Sequence, residues 1–178
     1  MVRLAVARHC MEARKKMAAP DRKPLLASLG ANLALFLLLP LALNGVIFGL
    51  GWNRSSAVLP GLPPGWLVGA IWMALFAAMG LARWLLLRGS RDRAHRLAAT
   101  GVGLLGFLCL LYPLYTIGLS NDRAGLVGNI ITLVVALAAA VLAWRRSRAA
   151  GACVVMVCLW LSYAAAVTAN GLVRGLTR

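Results

Sequence analysis

Five long apolar blocks, separated by short links, limit what this chain can fold into. The blocks cover residues 25–50, 64–87, 97–119, 124–144 and 149–173. A helix of ~20 residues crosses the hydrocarbon core of a bilayer, and each block is about that long. Because that core holds no water to satisfy backbone N–H and C=O groups, each block is predicted to be an α-helix. Short links predict that successive helices are antiparallel neighbours.

The composition agrees with a membrane protein. Of the 178 residues, 62% are hydrophobic and only four are acidic, whereas about a quarter of the residues in a soluble domain are charged. The predicted fold class is an all-α integral membrane protein, a bundle of five transmembrane helices within residues 25–175. Residues 1–24 are predicted to be a basic, disordered tail that lies on anionic lipid. Alternatively, the start is mis-assigned and translation begins at Met11 or Met17.

The net charge of +15 has two interpretations, nucleic-acid binding or membrane topology. The basic residues concentrate in residues 1–24, 88–96 and 145–148, while the loops on the other side carry Arg54 and Arg123. This asymmetry follows the positive-inside rule, so nucleic-acid binding is not expected. For a multi-pass protein, as in a bacterial inner membrane, the rule predicts a cytoplasmic N-terminus and an external C-terminus.

Side chains suited to catalysis are scarce. The carboxylates lie in the tail or the links, so an ion-coupled transporter would lack its usual intramembrane relay; they are Glu12, Asp21, Asp92 and Asp122. No catalytic triad, metal cluster or phosphate-binding loop is recognisable. Three of the four cysteines fall inside apolar blocks, as small hydrophobic residues do. Neither an enzyme, nor a metal site, nor a required cofactor is predicted.

Aromatic and neighbouring side chains recur at helical spacing in three blocks. Trp72 and Phe76 share a stripe on the second block, and residues of the third and fifth blocks could face them. The set is Trp72, Phe76, Cys109, Tyr112, Trp160 and Tyr163. Two interpretations stay open. These residues either line a cavity for a flat, mostly apolar ligand or serve ordinary helix packing.

Other features of the blocks have more general interpretations. Trp66 and Trp84 lie near block ends, as in an interfacial aromatic belt. Arg83, about one turn from its block end, is predicted to extend to the headgroups. Two small-xxx-small pairs are predicted to pack helices, either within the bundle or against a second copy; they are Gly45 with Gly49 and Ala99 with Gly103.

The order of several motif residues resembles the TspO/MBR family, the tryptophan-rich sensory proteins. A loop Trp is followed eleven residues later by a Pro-Pro pair, and then by a helix of the form W-x5-W-x3-F-x2-M-G-x-A. These residues are Trp52, Pro63, Pro64, Trp66, Trp72, Phe76, Met79, Gly80 and Ala82. In the fifth block, Ala150 and Gly151 precede Trp160 and the sequence LSYAA. The resemblance covers roughly residues 25 to 175.

The resemblance implies a five-helix bundle, commonly a homodimer, that binds porphyrins such as heme or other flat hydrophobic ligands. Trp52 and the Pro63–Pro64 turn would shape a lid over a pocket lined by Trp66, Trp72, Phe76 and Trp160. Cys109 and Tyr112 stand where the family usually has Asn and Trp. Some bacterial members are reported to promote tetrapyrrole breakdown, but enzymatic activity is not expected of this chain. The expected function is ligand binding and sensing; the alternatives are a transporter of amphipathic molecules or a scaffold without ligand.

Overall fold

A computed structural model describes residues 28–51, 61–89, 92–114 and 121–175. These residues form five α-helices, each long and apolar enough to cross a membrane, which confirms the predicted fold class. The helices are α1 (Leu29–Gly49), α2 (Gly65–Arg88), α3 (Arg93–Pro113), α4 (Asp122–Trp144) and α5 (Arg148–Val173). The predicted tail at 1–24 and the loop residue Trp52 lie outside the described residues.

Polar residues of the links begin three of the helices. The Asp92 carboxylate accepts a hydrogen bond from the backbone N–H of His95 at 2.7 Å, so α3 begins four residues before the apolar block at 97. The Asn121 side chain likewise accepts from two amides in the first turn of α4. Ser147 accepts from the Ala150 amide at 3.3 Å. Each cap satisfies amides that a helix leaves without an internal partner.

The links of the α2–α3 and α4–α5 hairpins lie at one end of the bundle. Hydrogen bonds from the His95 backbone and side chain hold the pKa of the Asp92 carboxyl below its usual value. The positive charge of Arg146, in the α4–α5 link, contributes to the same decrease of the pKa. We call this the basic end of the bundle, because Arg88 and Arg148 also lie at its helix termini.

Helix α2 occupies the middle of the bundle. It packs against α1, α3 and α5, while α4 packs against α3 and α5. Helices α1 and α3 contact each other only sparsely, which leaves a groove between them. The α4–α5 hairpin is especially close, because a Cβ atom added at Gly151 would lie 2.7 Å from the Trp144 Cα atom.

The Phe36 ring joins α1 to both of its neighbours. It is buried between Gly80 of α2 and Gly106 of α3. A Cβ atom at Gly106 would overlap the ring, and one at Gly80 would lie 3.3 Å from the Phe36 Cβ atom. Glycine at these two positions lets an aromatic ring occupy the junction of three helices, in the way that small residues seat neighbouring helices in membranes.

The predicted small-xxx-small pairs lie in different surroundings. A Cβ atom at Gly45 or Gly49 would meet no described atom within 4 Å, so this face of α1 points away from the bundle. Ala99 is buried in the core. Gly103 borders the groove between α1 and α3. Among the glycines within the described helices, close packing is therefore found at Gly80, Gly106 and Gly151 rather than on α1.

Candidate functional site

Trp72 is the centre of a cluster of aromatic rings from three helices. Its ring centroid lies 5.9 Å from that of Phe76 on α2 and 5.9 Å from that of Tyr112 on α3. The Trp160 ring of α5 meets Trp72 edge-on, with the centroids 6.4 Å apart. Tyr163 extends the cluster, 5.6 Å from Trp160. These are contact distances for aromatic pairs, and we call these five residues the aromatic cluster.

Helical spacing explains how the chain builds this cluster. Trp72 and Phe76 are four residues apart on α2, and Trp160 and Tyr163 are three apart on α5, so each pair shares a helix face. Tyr112 lies in the last turn of α3 and faces them. Most of the residues that the sequence singled out for ligand binding thus converge in space. Their role in binding a ligand stays a prediction.

Two of the remaining predicted ligand residues lie outside the five rings of the cluster. Cys109 is buried in the core, one turn before Tyr112 on α3. Trp66, in the first turn of α2, is 75% exposed, so its side chain points away from the cluster. Trp52 falls outside the described residues. The cluster therefore contains one of the two tryptophans that the family motif places on the second helix.

The segment before α2 is tied to the cluster by a side chain. The Tyr163 hydroxyl donates a hydrogen bond to the carbonyl oxygen of Gly61. Gly61 has a φ of +99°, a conformation that favours glycine, and its α-carbon faces the side chain of Val167. Pro63 and Pro64 follow, and Pro64 forms the N-terminal cap position of α2. The predicted lid turn therefore leads from an anchored Gly61 into the helix that carries Trp72.

Two buried polar atoms near the cluster have no hydrogen-bond partner among the described residues. One is the indole Nε1 of Trp160, a donor, and the other is Oδ1 of Asn129, an acceptor. The Asn129 amide nitrogen does donate to the Leu161 carbonyl, at 3.1 Å, which joins α4 to α5. Buried polar groups in proteins are nearly always satisfied, so a free indole N–H beside aromatic rings is a notable feature of this site.

A groove lies on the other side of Phe76 from the aromatic cluster. It has a volume of about 190 Å³ and runs between α1 and α3 over α2. Pockets for drug-sized ligands measure ~300–1,000 Å³, so this groove is too small for a porphyrin.

The rings of the aromatic cluster touch one another. A planar ligand would therefore reach the cluster only by separating these rings.

Arg83 makes a polar contact that the sequence analysis did not predict. Its Nη1 donates to Oδ1 of the fully buried Asn32, at 2.5 Å. The predicted extension of Arg83 toward the headgroups stays a prediction. The sequence reasoning missed Asn32 and Phe36. Asn32 could have been found as an amide side chain inside an apolar block, because polar side chains in membrane helices commonly form hydrogen bonds to other helices.

Comparison with protein families identifies the chain. The described residues contain no group of three His, Cys, Asp or Glu side chains that could hold a metal ion. Searches among curated proteins and among solved structures gave no match. The model of the TspO/MBR family matches residues 27–173, which is most of the chain and includes all five helices. The match confirms the resemblance seen in the tryptophan and proline motifs, and the protein is a multi-pass membrane protein that belongs to the TspO/MBR family.

Proposed function

We propose that this protein binds a flat hydrophobic ligand, such as a porphyrin, at the aromatic cluster and acts as a membrane sensor. One observation carries the proposal. The Trp72 ring contacts a ring from α3 and a ring from α5, next to the segment that Tyr163 anchors at Gly61. Family membership supports the broader role, since these proteins are sensory, binding or transport proteins of membranes.

The chemistry of the cluster suits such a ligand. Each aromatic pair contributes ~0.5–1.5 kcal/mol beyond its burial of area, so contacts to several rings would add up. The Nε1–H of Trp160, which has no partner among the described residues, offers a hydrogen bond to an acceptor on the ligand. A ligand with a planar apolar ring and an edge acceptor fits both features, and porphyrins and heme have this chemistry.

The packing of the rings suggests how binding becomes a signal. Because the rings touch, a planar ligand must push apart residues that belong to α2, α3 and α5. Binding would thereby change the contacts among these helices and the surface that a partner protein meets. A ligand shifts such an equilibrium only by its difference in affinity between the closed and open arrangements.

We also propose that two copies associate in the bilayer through α1. Gly45 and Gly49 lie on a face with no described atom near them, and such GxxxG faces let helix backbones approach closely. The proposed orientation follows the positive-inside rule, with the basic end in the cytoplasm. We propose binding without catalysis as the role of the chain.

Tryptophan fluorescence tests the proposed site. The protein in lipid nanodiscs is titrated with protoporphyrin IX and with heme, alongside the variants Trp72→Ala and Trp160→Ala. We expect saturable quenching at micromolar ligand and at least about tenfold weaker binding in both variants, which corresponds to ~1.4 kcal/mol. Trp66→Ala is the matched control, because it removes an exposed tryptophan of the same helix and should leave the affinity unchanged.

Other outcomes would favour other roles. Non-saturable quenching that is equal in all variants would overturn the proposed site and favour a scaffold. Accumulation of porphyrin inside proteoliposomes, dependent on Trp72, would favour the transporter alternative. Loss of the porphyrin absorption bands during incubation would show turnover and contradict binding without catalysis.

A further inference from the structure

The groove between α1 and α3 is apolar along its length and polar at one end. Its walls are leucine, proline and phenylalanine side chains, with Gly103 and Gly106 leaving space on α3; the apolar side chains are Leu35, Phe36, Leu39, Pro40, Phe76, Phe107 and Leu110. From Gly103 to Leu110 the groove extends about 10 Å, at 1.5 Å per residue. Leu39 and Phe107 are half exposed, so the groove faces the lipid.

Arg83 forms the polar end of this groove. A Cβ atom at Gly103 would lie 3.9 Å from the Nε atom of Arg83, so the guanidinium borders the groove directly. Arg83 lies five residues before Arg88, the last residue of α2, or about 7.5 Å from the helix end. The charge is therefore close to the headgroup level at the basic end of the bundle.

The charge of Arg83 is not neutralised by the described part of the chain. Its partner there is Asn32, whose amide oxygen carries no net charge. The described carboxylates, Asp92 and Asp122, both lie at helix termini rather than beside the groove. Cations within membrane segments normally pair with an opposite charge or reach water. A guanidinium also has further N–H donors, arranged to bind a phosphate through two parallel hydrogen bonds.

We propose that this groove binds an anionic phospholipid, with part of one acyl chain between α1 and α3 and the phosphate on Arg83. The volume of about 190 Å³ suits a stretch of hydrocarbon chain, since an apolar cavity of ~150 Å³ holds a benzene ring. Basic sites between membrane helices recognise acidic headgroups in this way. This site is separate from the aromatic cluster, which it meets only at Phe76, and its occupancy does not depend on the proposed porphyrin binding.

Native mass spectrometry with defined lipids tests the proposal. The full chain in detergent is titrated with phosphatidylglycerol or with phosphatidylcholine of the same acyl chains. The detergent is then removed in the mass spectrometer, and the number of lipids bound per chain is counted at each concentration. We expect phosphatidylglycerol to bind at least about tenfold more tightly. Arg83→Gln should abolish this preference. Arg88→Gln is the matched control, since it removes the same charge from the same helix about 140° away, where Arg88 lies over the Trp84 ring.

A second variant tests the apolar half of the groove. Gly103→Leu would fill the space beside Arg83 while keeping its charge, and we expect it to lose the bound phosphatidylglycerol. It also keeps the proposal testable should Arg83→Gln not fold. Inorganic phosphate at millimolar concentration should fail to displace the lipid, because it has no acyl chain.

Several results would overturn the lipid site. The first is an equal affinity for the two lipids. The second is an unchanged preference for phosphatidylglycerol in Arg83→Gln. The third is an equal loss of that preference in Arg88→Gln and Arg83→Gln. Displacement of the lipid by inorganic phosphate would identify a simple anion site instead. Protoporphyrin quenching in Arg83→Gln should match that of the unmodified chain, so failure of the lipid site and failure of the porphyrin site are measured separately.

Discussion

The hydroxyl group of Tyr163 donates a hydrogen bond to the carbonyl oxygen of Gly61, a residue that precedes it by 102 positions. This contact joins α5 to the segment that enters α2. It also places that segment beside Trp160, whose ring contacts both Trp72 and Tyr163. The aromatic cluster is thereby held from two sides, by ring contacts and by the anchored backbone.

Tyr163→Phe should loosen the segment before α2 while keeping the ring in the cluster. A hydrogen bond contributes ~0.5–1.5 kcal/mol net, so removal of about 1 kcal/mol would raise the population of the locally open state roughly fivefold. Hydrogen exchange of the amides at Leu62 and Gly65 measures this change. Ser162→Ala removes the neighbouring exposed hydroxyl and is the control. Equal exchange in both variants would contradict the anchoring role.

Gly61→Ala should destabilise the same segment through the backbone. The φ of +99° lies in a region where a Cβ atom costs roughly 1–3 kcal/mol. A lower melting temperature in detergent is the expected result. Gly69→Ala serves as the control, because it lies within α2 with no described atom within 4 Å of the added Cβ. Alanine there should leave the melting temperature unchanged or raise it slightly.

Trp160→Phe should weaken ligand binding without lowering the stability of the ligand-free protein. It keeps an aromatic ring but removes the Nε1–H that has no partner among the described residues. An unsatisfied buried donor costs ~1–3 kcal/mol, so the ligand-free protein should melt at an equal or higher temperature. Protoporphyrin should bind more weakly, because the protein loses the Trp160 N–H group that donates a hydrogen bond to the ligand. An unchanged dissociation constant would show that this indole N–H does not contact the ligand.

Gly151→Ala should disrupt the α4–α5 hairpin. The added Cβ atom would lie 2.7 Å from the Trp144 Cα atom, which belongs to the backbone and cannot rotate away. Overpacking of this kind costs typically ~1–3 kcal/mol. Gly30→Ala, where the added Cβ atom meets no described atom within 4 Å, is the matched control. The two melting temperatures should differ by several degrees, and equal values would contradict the close approach of α4 and α5.

The Asp92 cap predicts a specific dependence of stability on pH. Because its hydrogen bonds from His95 lower the pKa below the ordinary 3.8, the folded state favours the ionised form. The resulting stabilisation is present above pH 3.8 and is lost as the pH falls through the lower, folded-state pKa. Asp92→Asn keeps a capping side chain without a charge, so its melting temperature should fall less over this acid range. Parallel pH curves for the two proteins would contradict this assignment.

The sequence predicts the helices and the aromatic cluster for physical reasons. Block length and the need for backbone hydrogen bonds in lipid specify five helices, and spacing places Trp72 with Phe76 on one face. The Asn32–Arg83 contact could not be predicted, and the sequence left open whether Trp66 faces the pocket or an interfacial aromatic belt. The helices are apolar on nearly all sides, so periodicity does not reveal which face meets which neighbour. That choice depends on close contacts, such as the ring of Phe36 against glycine.

The burial of Phe36 between Gly80 and Gly106 has a consequence for biogenesis. Helix α1 leaves the ribosome before α2 and α3. The Phe36 ring of α1 lacks its packing partners until both α2 and α3 have entered the bilayer. Chains grow at about 5–20 residues per second, so α1 waits for seconds in lipid before it can dock. Insertion of the first helix and its assembly into the protein are therefore separate events, and the α2–α3 hairpin determines when the second occurs.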